Sequence, residues 1–314
     1  MTRSEFAARW SARLGPRWQA GAPLAPLTTF KTGGPAEWLA DVTSEEELRA
    51  LVADAGMADV AVTMLGGGSN VLVADAGVEG VVVRLRLTGI AQTAADSVRA
   101  EAGLTINGLV RWTIGRGLAG LEAWAGTPGT VGGAIRGNAH WQGEDIASRV
   151  RSVTLVSRDG KVAEVPADEM GFAYDTSRIP QTGEVVLAAT FAVAPGNVEA
   201  LRERAKASLH YRKATQPLAR ASAGCLFQNP SAADPVPKEI PRSAGALVDR
   251  AGLKGAAVGG ARISERHANF IVNDGGASAE DIRQLIERAR AEVRERFGVE
   301  LRDEVVYLGT FRHG

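Results

Sequence analysis

The chain has 314 residues, 45% apolar and 23% charged, which is ordinary globular usage with material for more than one core. Its 36 lysines and arginines equal its 36 aspartates and glutamates, so no net field invites nucleic acid or anionic lipid. A single cysteine excludes an internal disulfide framework and fits a reducing compartment. The opening "MTRSEFAARWSARLG" lacks the apolar stretch of a secretion signal, and no apolar run approaches the ~18 residues of a membrane span. A soluble, cytoplasmic protein of two or three domains is expected.

In chain order, Ser44-x-x-Glu47 reads as a capping box opening a short helix with Leu48, Leu51 and Val52 inward. "VAVTML" (60–65) is β-rich, "GGGSN" (66–70) a glycine loop, and "VLVAD" and "GVEGVVVRL" further strands, together an α+β unit. "TINGLVRWTI" reads as a helix. "VRSVTLVSRDGKVAEV" (150–165) predicts a hairpin with Asp159-Gly160 at its turn, and "GEVVLAATFAV" (183–193) another strand. A charged helix over 195–217 marks a boundary. "SAEDIRQLIERARAEVRERFG" (278–298) carries apolar residues at 282, 285, 286, 289, 293 and 297, with Ser278 as cap and Gly298 as stop. Its charged residues fall on the other face, which is expected to be solvated. "GVELRDEVVYLG" (298–309) returns to strand character.

"GRGLAG" (115–120) satisfies G-x-G-x-x-G, yet a helix precedes it and no acidic residue stands near 137, so a Rossmann reading fails. A phosphate-binding P-loop motif is absent. "LGGGSN" (65–70) differs, because glycines after a strand let backbone approach a ligand and line up N–H groups. "AGTPGTVGGAIRGNA" (125–139) repeats the idea, with Arg136 suited to a pyrophosphate. Either loop alone is better read as a sharp turn. Two of them bracketing a strand-rich region favour a diphosphate-bearing cofactor.

Cys225 lies in "SAGCLFQNP" (222–230), where a free cysteine is ordinarily a small buried hydrophobe. That stretch, with "TTFKTGGPAEWL" (28–39), "LGGGSNVLV" (65–73), "AGTPGTVGGAIRGNA", "AGLKG" (251–255), "ISERHANFIVN" (263–273) and "LRDEVVYLG" (301–309), resembles in order the UDP-N-acetylenolpyruvoylglucosamine reductase family, in its shorter class. The resemblance implies an α+β chain with a two-subdomain FAD-binding fold of the vanillyl-alcohol-oxidase type and a separate α+β substrate-binding domain. The boundaries expected are 1–90 and 91–200 for the two FAD subdomains, 201–297 for the substrate domain, and 298–314 for a strand returning to the FAD unit. It also implies that NADPH, as co-substrate, reduces a non-covalent FAD, and that hydride then reaches the enolpyruvyl double bond of UDP-N-acetylglucosamine-enolpyruvate. Negative charge left beside the carboxylate then needs a proton donor and an electrostatic partner.

In the family the donor follows the glycine of the SAG-x-x-F-x-NP stretch and is usually serine; here it is Cys225. Glu304 matches the family's glutamate. The family's arginine follows a tyrosine in Y-R-x-S, whereas this chain has Tyr174-Asp175, so Arg178 is assigned the role, with Arg212 or Arg220 as alternatives. The resemblance carries cofactor contacts to Gly66, Gly67, Gly68, Ser69, Asn70, Thr127, Pro128, Gly129, Thr130, Gly132, Gly133, Arg136, Asn138 and Arg212. Substrate contacts fall on Tyr174, Gln228, Asn229, Lys254, His267 and Asn269. "NAHWQG" (138–143) replaces a smaller, glycine-rich stretch, so His140 and Trp141 are expected to alter flavin packing. His140, His210, His267 and His313 show no metal spacing, and no metal is expected. The chain is expected to act as a monomer, without nucleic acid or membrane. Two rivals stand beside this reading: another FAD-dependent oxidoreductase on the same scaffold, and a flavin or UDP-sugar binder without turnover.

Overall fold

The computed structural model describes residues 1–311, so His313 lies outside the described residues. Its contacts divide into two compact units. The first takes Met1–Gly21, Glu37–Gly67 and Gly80–Tyr211; the second takes Ala22–Ala36, Gly68–Glu79 and the chain from Arg212 onward.

The first unit holds two apolar cores. One lies beneath the helices Arg3–Leu14 and Glu45–Met57, which bury Phe6, Trp10, Leu48 and Leu51 with Val81 and Val83 of the strand Val78–Leu85. Asp54 is also buried there, satisfied by the Trp10 indole N–H at 3.0 Å. Ser44 caps the second helix by accepting the Glu47 N–H, as the sequence predicts. The reciprocal half of the expected capping box does not form. Glu47 instead takes two Arg17 N–H groups at 2.7 Å each and the Thr43 N–H at 2.9 Å. A forked, charge-assisted pair outcompetes one neutral N–H, and Arg17 holds the Glu47 carboxyl down at about 2.

The other core lies against a five-stranded antiparallel sheet ordered Val162–Pro166, Val150–Val156, Val185–Ala192, Ser97–Glu101, Ile90–Ala94. The predicted hairpin is its outer pair, turning at Gly160 with φ 79°. The predicted helix Ile106–Gly115 and the short helix Val131–Arg136 bury Ile106, Leu109, Val131 and Ile135 into this core.

In the second unit the helix Ala279–Phe297 carries the predicted stripe, burying Ile282, Leu285, Ile286, Ala289 and Val293. Ser278 and Asp281 form a complete capping box, and Gly298 closes the helix at φ 68°, a left-handed conformation glycine enters without Cβ strain. The strand Val306–Leu308 runs parallel to Val71–Val73, pairing Val306 with Val71. The longer strand expected over 298–309 is confined to those three residues, because the segment before them bonds elsewhere.

Candidate active site

In the first unit, Gly66 and Gly67 follow the strand Val62–Met64 and face the second glycine loop directly. A Cβ on Gly66 would stand 2.7 Å from Thr130 Oγ1, and one on Gly67 2.7 Å from the Gly129 Cα. Backbone against backbone at that range admits no side chain, so the loops converge because both are glycine. Gly129 itself sits at φ 102°. Asn107, which the sequence reading missed, pins the second loop: its Oδ1 accepts the Gly126 N–H at 2.7 Å and its Nδ2 donates to the Thr127 carbonyl at 3.2 Å. Pro128 is exposed beside them.

The later glycines of that loop do other work. Gly132 donates its N–H to the Ala102 carbonyl at 2.9 Å, and Gly133 donates to Thr130 Oγ1, which caps the short helix. Asn138, 1% exposed at φ 44°, donates to the Ala173 carbonyl and accepts the Ala147 N–H. It therefore positions backbone. Arg136 is half-buried, and burial pushes its guanidinium below the ordinary range. An anionic ligand would relieve that cost.

The segment 173–178 is tied to this loop, since Ser177 Oγ donates to the Arg136 carbonyl at 2.8 Å. Tyr174 is 43% exposed, with its ring 5.0 Å from that of His140. Asp175, held at φ 55°, pairs with His140 Nδ1 at 2.8 Å. The segments "NAHWQG" and "YD" thus meet in one contact, an acidic side chain and the imidazole that faces it. Arg178 is bound in a forked pair to Glu184 at 2.8 and 2.7 Å.

In the second unit, Gly68 accepts the Thr29 N–H at 2.9 Å, and a Cβ there would meet the Leu27 carbonyl at 2.2 Å. Ser69 is half-buried beside it. Asn70 donates from Nδ2 to the Glu304 carbonyl at 3.0 Å and accepts the Val306 N–H. Cys225 follows Gly224, at φ 80°, and is itself half-buried. The next residue, Leu226, accepts the Glu304 N–H at 2.8 Å, and Gln228 donates to the Arg302 carbonyl at 2.9 Å. Cys225 and Glu304, far apart in sequence, are therefore brought onto neighbouring, hydrogen-bonded segments.

Asn269 holds this arrangement from beneath. It is 2% exposed; its carbonyl and Oδ1 accept from Leu226 and Phe227, and its Nδ2 donates to the Phe227 carbonyl at 2.7 Å. His267 Nδ1 accepts the Asn269 N–H at 3.2 Å, and burial and nearby Lys254 push the imidazole below its ordinary range. Asn229, exposed at its side chain, accepts the Ala244 N–H at the start of the helix Ala244–Arg250. Lys254 pairs with Asp249 at 2.7 Å, and Arg220 with Asp274 at 2.8 Å. Arg212 is 5% exposed; burial pushes it down to about 10, and nearby Cys225 opposes that shift. Arg212, one of the three arginines considered for the missing cation, is coupled electrostatically to Cys225. Among the described residues no group of three or more His, Cys, Asp or Glu is placed to hold a metal ion.

A mixed α+β fold whose paired glycine loops leave no room for side chains defines an FAD-binding oxidoreductase: residues 36–166 match the FAD binding domain family. Residues 216–308 match the family described as UDP-N-acetylenolpyruvoylglucosamine reductase, C-terminal domain. The chain is 42% identical to the UDP-N-acetylenolpyruvoylglucosamine reductase of Synechococcus sp. (strain WH7803), covering 93% of each chain. It is 41% identical to UDP-N-acetylenolpyruvoylglucosamine reductase 2 of Symbiobacterium thermophilum over 91% of each. The crystal structure of UDP-N-acetylenolpyruvylglucosamine reductase from Thermus caldophilus superposes with a TM-score of 0.78 at 33% identity, covering 92% of this chain and 98% of that one. The chain belongs to the UDP-N-acetylenolpyruvoylglucosamine reductase family.

Proposed function

We propose that this enzyme reduces the enolpyruvyl group of UDP-N-acetylglucosamine-enolpyruvate to give UDP-N-acetylmuramate for peptidoglycan, with NADPH as electron donor. The residues present fit FAD: Gly66, Gly67, Gly129 and Thr130 form a cradle that a Cβ would fill, and Arg136 is a half-buried cation suited to the diphosphate. When bound, FAD supplies the redox chemistry, accepting hydride from NADPH and delivering it to a carbon acceptor.

The chain's own residues handle charge and the proton. Hydride on the terminal carbon of the enolpyruvyl group leaves a carbanion beside the carboxylate, and the Cys225 S–H protonates it, so one hydride and one proton saturate the double bond. Solvent then restores the thiol proton. Glu304 polarises the carboxylate end or shares the proton. Arg212 is the preferred cation, since it is buried and its ionisation responds to Cys225. Tyr174, Gln228, Asn229 and Lys254 contact the sugar nucleotide, while Asn269 and His267 support the loop. In the same reading 1–90 and 91–200 bind FAD, 201–297 bind substrate, and 298–314 supply a strand that returns to the FAD unit. The enzyme works as a cytoplasmic monomer. No helix among the described residues is long and apolar enough to cross a membrane.

The observation that carries the reading is the hydrogen bond from the Glu304 N–H to the Leu226 carbonyl, which couples the donor's segment to the glutamate's. The test is NADPH oxidation by the purified yellow protein with and without the enolpyruvyl substrate, with product mass two units higher. Yellow protein that oxidises no NADPH when the substrate is added would sink the proposal.

A further inference from the structure

Arg290 lies on the helix Ala279–Phe297, on the charged side that the sequence pattern leaves to solvent. Its side chain is only 18% exposed. Nη1 donates to Glu287 on the same helix at 2.6 Å, and Nε donates to the Leu301 carbonyl at 3.2 Å. Nη2 donates to the Asp303 carboxylate. The guanidinium carbon stands 5.9 Å from the centre of the Phe227 ring. One planar cation thus touches the segment that carries Cys225 and the segment that carries Glu304, and anchors both to a long, well-capped helix.

The two segments meet at few points. Phe227 and Asp303 form an isolated β-bridge, Gln228 donates to Arg302, and Glu304 donates to Leu226. Burial of Leu226, Phe227, Leu301 and Val305 favours one register, and a polar anchor outside the short ladder reinforces it. Arg290 has the geometry to do so, because a guanidinium presents its donors in a rigid fork.

We propose that Arg290 is a positioning residue, acting through Asp303 and Leu301 to hold the Glu304 segment in register with the Cys225 segment. Against the cost of its burial, Glu287 and Asp303 hold the guanidinium above its ordinary range, so it stays charged wherever the protein is folded. The inference rests on the proton-transfer reading of Cys225 and Glu304, and misplacement by about 1 Å costs on the order of a hundredfold in rate.

The test uses Arg290→Met, Arg290→Lys and Asp303→Asn in the FAD-loaded protein, with two readouts. The first is amide hydrogen exchange without substrate at Leu226–Gln228 and Glu304, against the Val150–Val156 strand as reference. Arg290→Met should speed exchange at those amides about tenfold and leave the reference strand unchanged. Asp303→Asn, which keeps the bond to Leu301, should give a smaller rise, and Arg290→Lys should recover part of the loss. The second is turnover: kcat should fall about tenfold or more, with KM within threefold and the solvent deuterium isotope effect increased. Unchanged exchange at Leu226–Gln228 and Glu304 overturns the inference, as does exchange that rises equally in the reference strand. If the unaltered protein shows no substrate-dependent NADPH oxidation, the catalytic reading has failed, and the exchange readout alone decides whether Arg290 holds the two segments.

Discussion

The glycine cradle of the first unit and the Cys225 loop of the second are built by opposite means. At Gly66 and Gly67 the structure depends on what is missing, because a Cβ would meet Thr130 and Gly129 at 2.7 Å. At Cys225 it depends on what is added: the buried Asn269 amide, the Asn70 amide on the Glu304 carbonyl and the Arg290 fork. A site made of bare backbone tolerates no substitution. A loop held by side chains elsewhere leaves the residue at its tip open to substitution.

The sharpest way to break this comparison is at the tip. Cys225→Ala should leave loop and fold intact and slow reduction of the enolpyruvyl group by about a thousandfold, within the range a positioned acid supplies. Bleaching of the yellow chromophore by NADPH in a stopped-flow trace should stay within about twofold. Cys225→Ser should recover most of the lost rate, because a hydroxyl at the same position can also donate a proton. A Cys225→Ala protein that turns over normally would remove the thiol from the mechanism. In the cradle the expectation reverses. Gly67→Ala has nowhere to put its methyl group except into the Gly129 backbone, and should purify with flavin reduced about tenfold or more by absorbance. Gly115→Ala is the matched control: nothing lies within 4 Å of its Cβ, it ends a helix, and it should be neutral or stabilising by about 0.5 kcal/mol in urea titration. Full flavin content in Gly67→Ala would show that the cradle yields.

This contrast also governs what could be read before folding. Local patterns were legible: the 3.6-residue stripe of Ala279–Phe297 with both of its caps, the Asp159-Gly160 hairpin, the rejection of "GRGLAG" because a helix precedes it, and the two glycine loops. Their physics lies within a dozen neighbouring residues. What pattern could not supply was partnership across the chain. Glu47 has the spacing of a capping box and spends itself on Arg17. Residues 302–305 have strand composition and bond to 226–228 instead of extending Val306–Leu308. Arg290 falls on the polar face of its helix and is drawn in by Asp303. Asn269 reads as a polar wall residue, and its amide turns inward to hold Phe227. Asp175, acidic where the family resemblance implies an arginine, is met by His140, and no spacing rule links the two.

The smallest expected effect sharpens the comparison through pH. His267 accepts the Asn269 N–H, and Asn269 in turn grips Leu226 and Phe227, so the Cys225 loop rests partly on a neutral imidazole. Burial first, and Lys254 second, lower the folded pKa of His267 below the 6.5 of a free histidine. Between those two values the unfolded chain binds more protons than the folded one. Stability contributed by His267 is therefore complete above about pH 6.5 and is lost as pH falls toward and through the folded value, at no more than about 1.4 kcal/mol per pH unit. His267→Gln cannot titrate, and its urea midpoint should change less than that of the unaltered protein between pH 7.5 and 5.5. Over the same interval the Phe227 amide should exchange faster in the unaltered protein, after correction for the intrinsic rate, while Gly67 should not change. Acid would then loosen the region held by side chains and spare the one made of backbone; equal loosening at both amides would mean that His267 reports global stability and lends the loop no particular support.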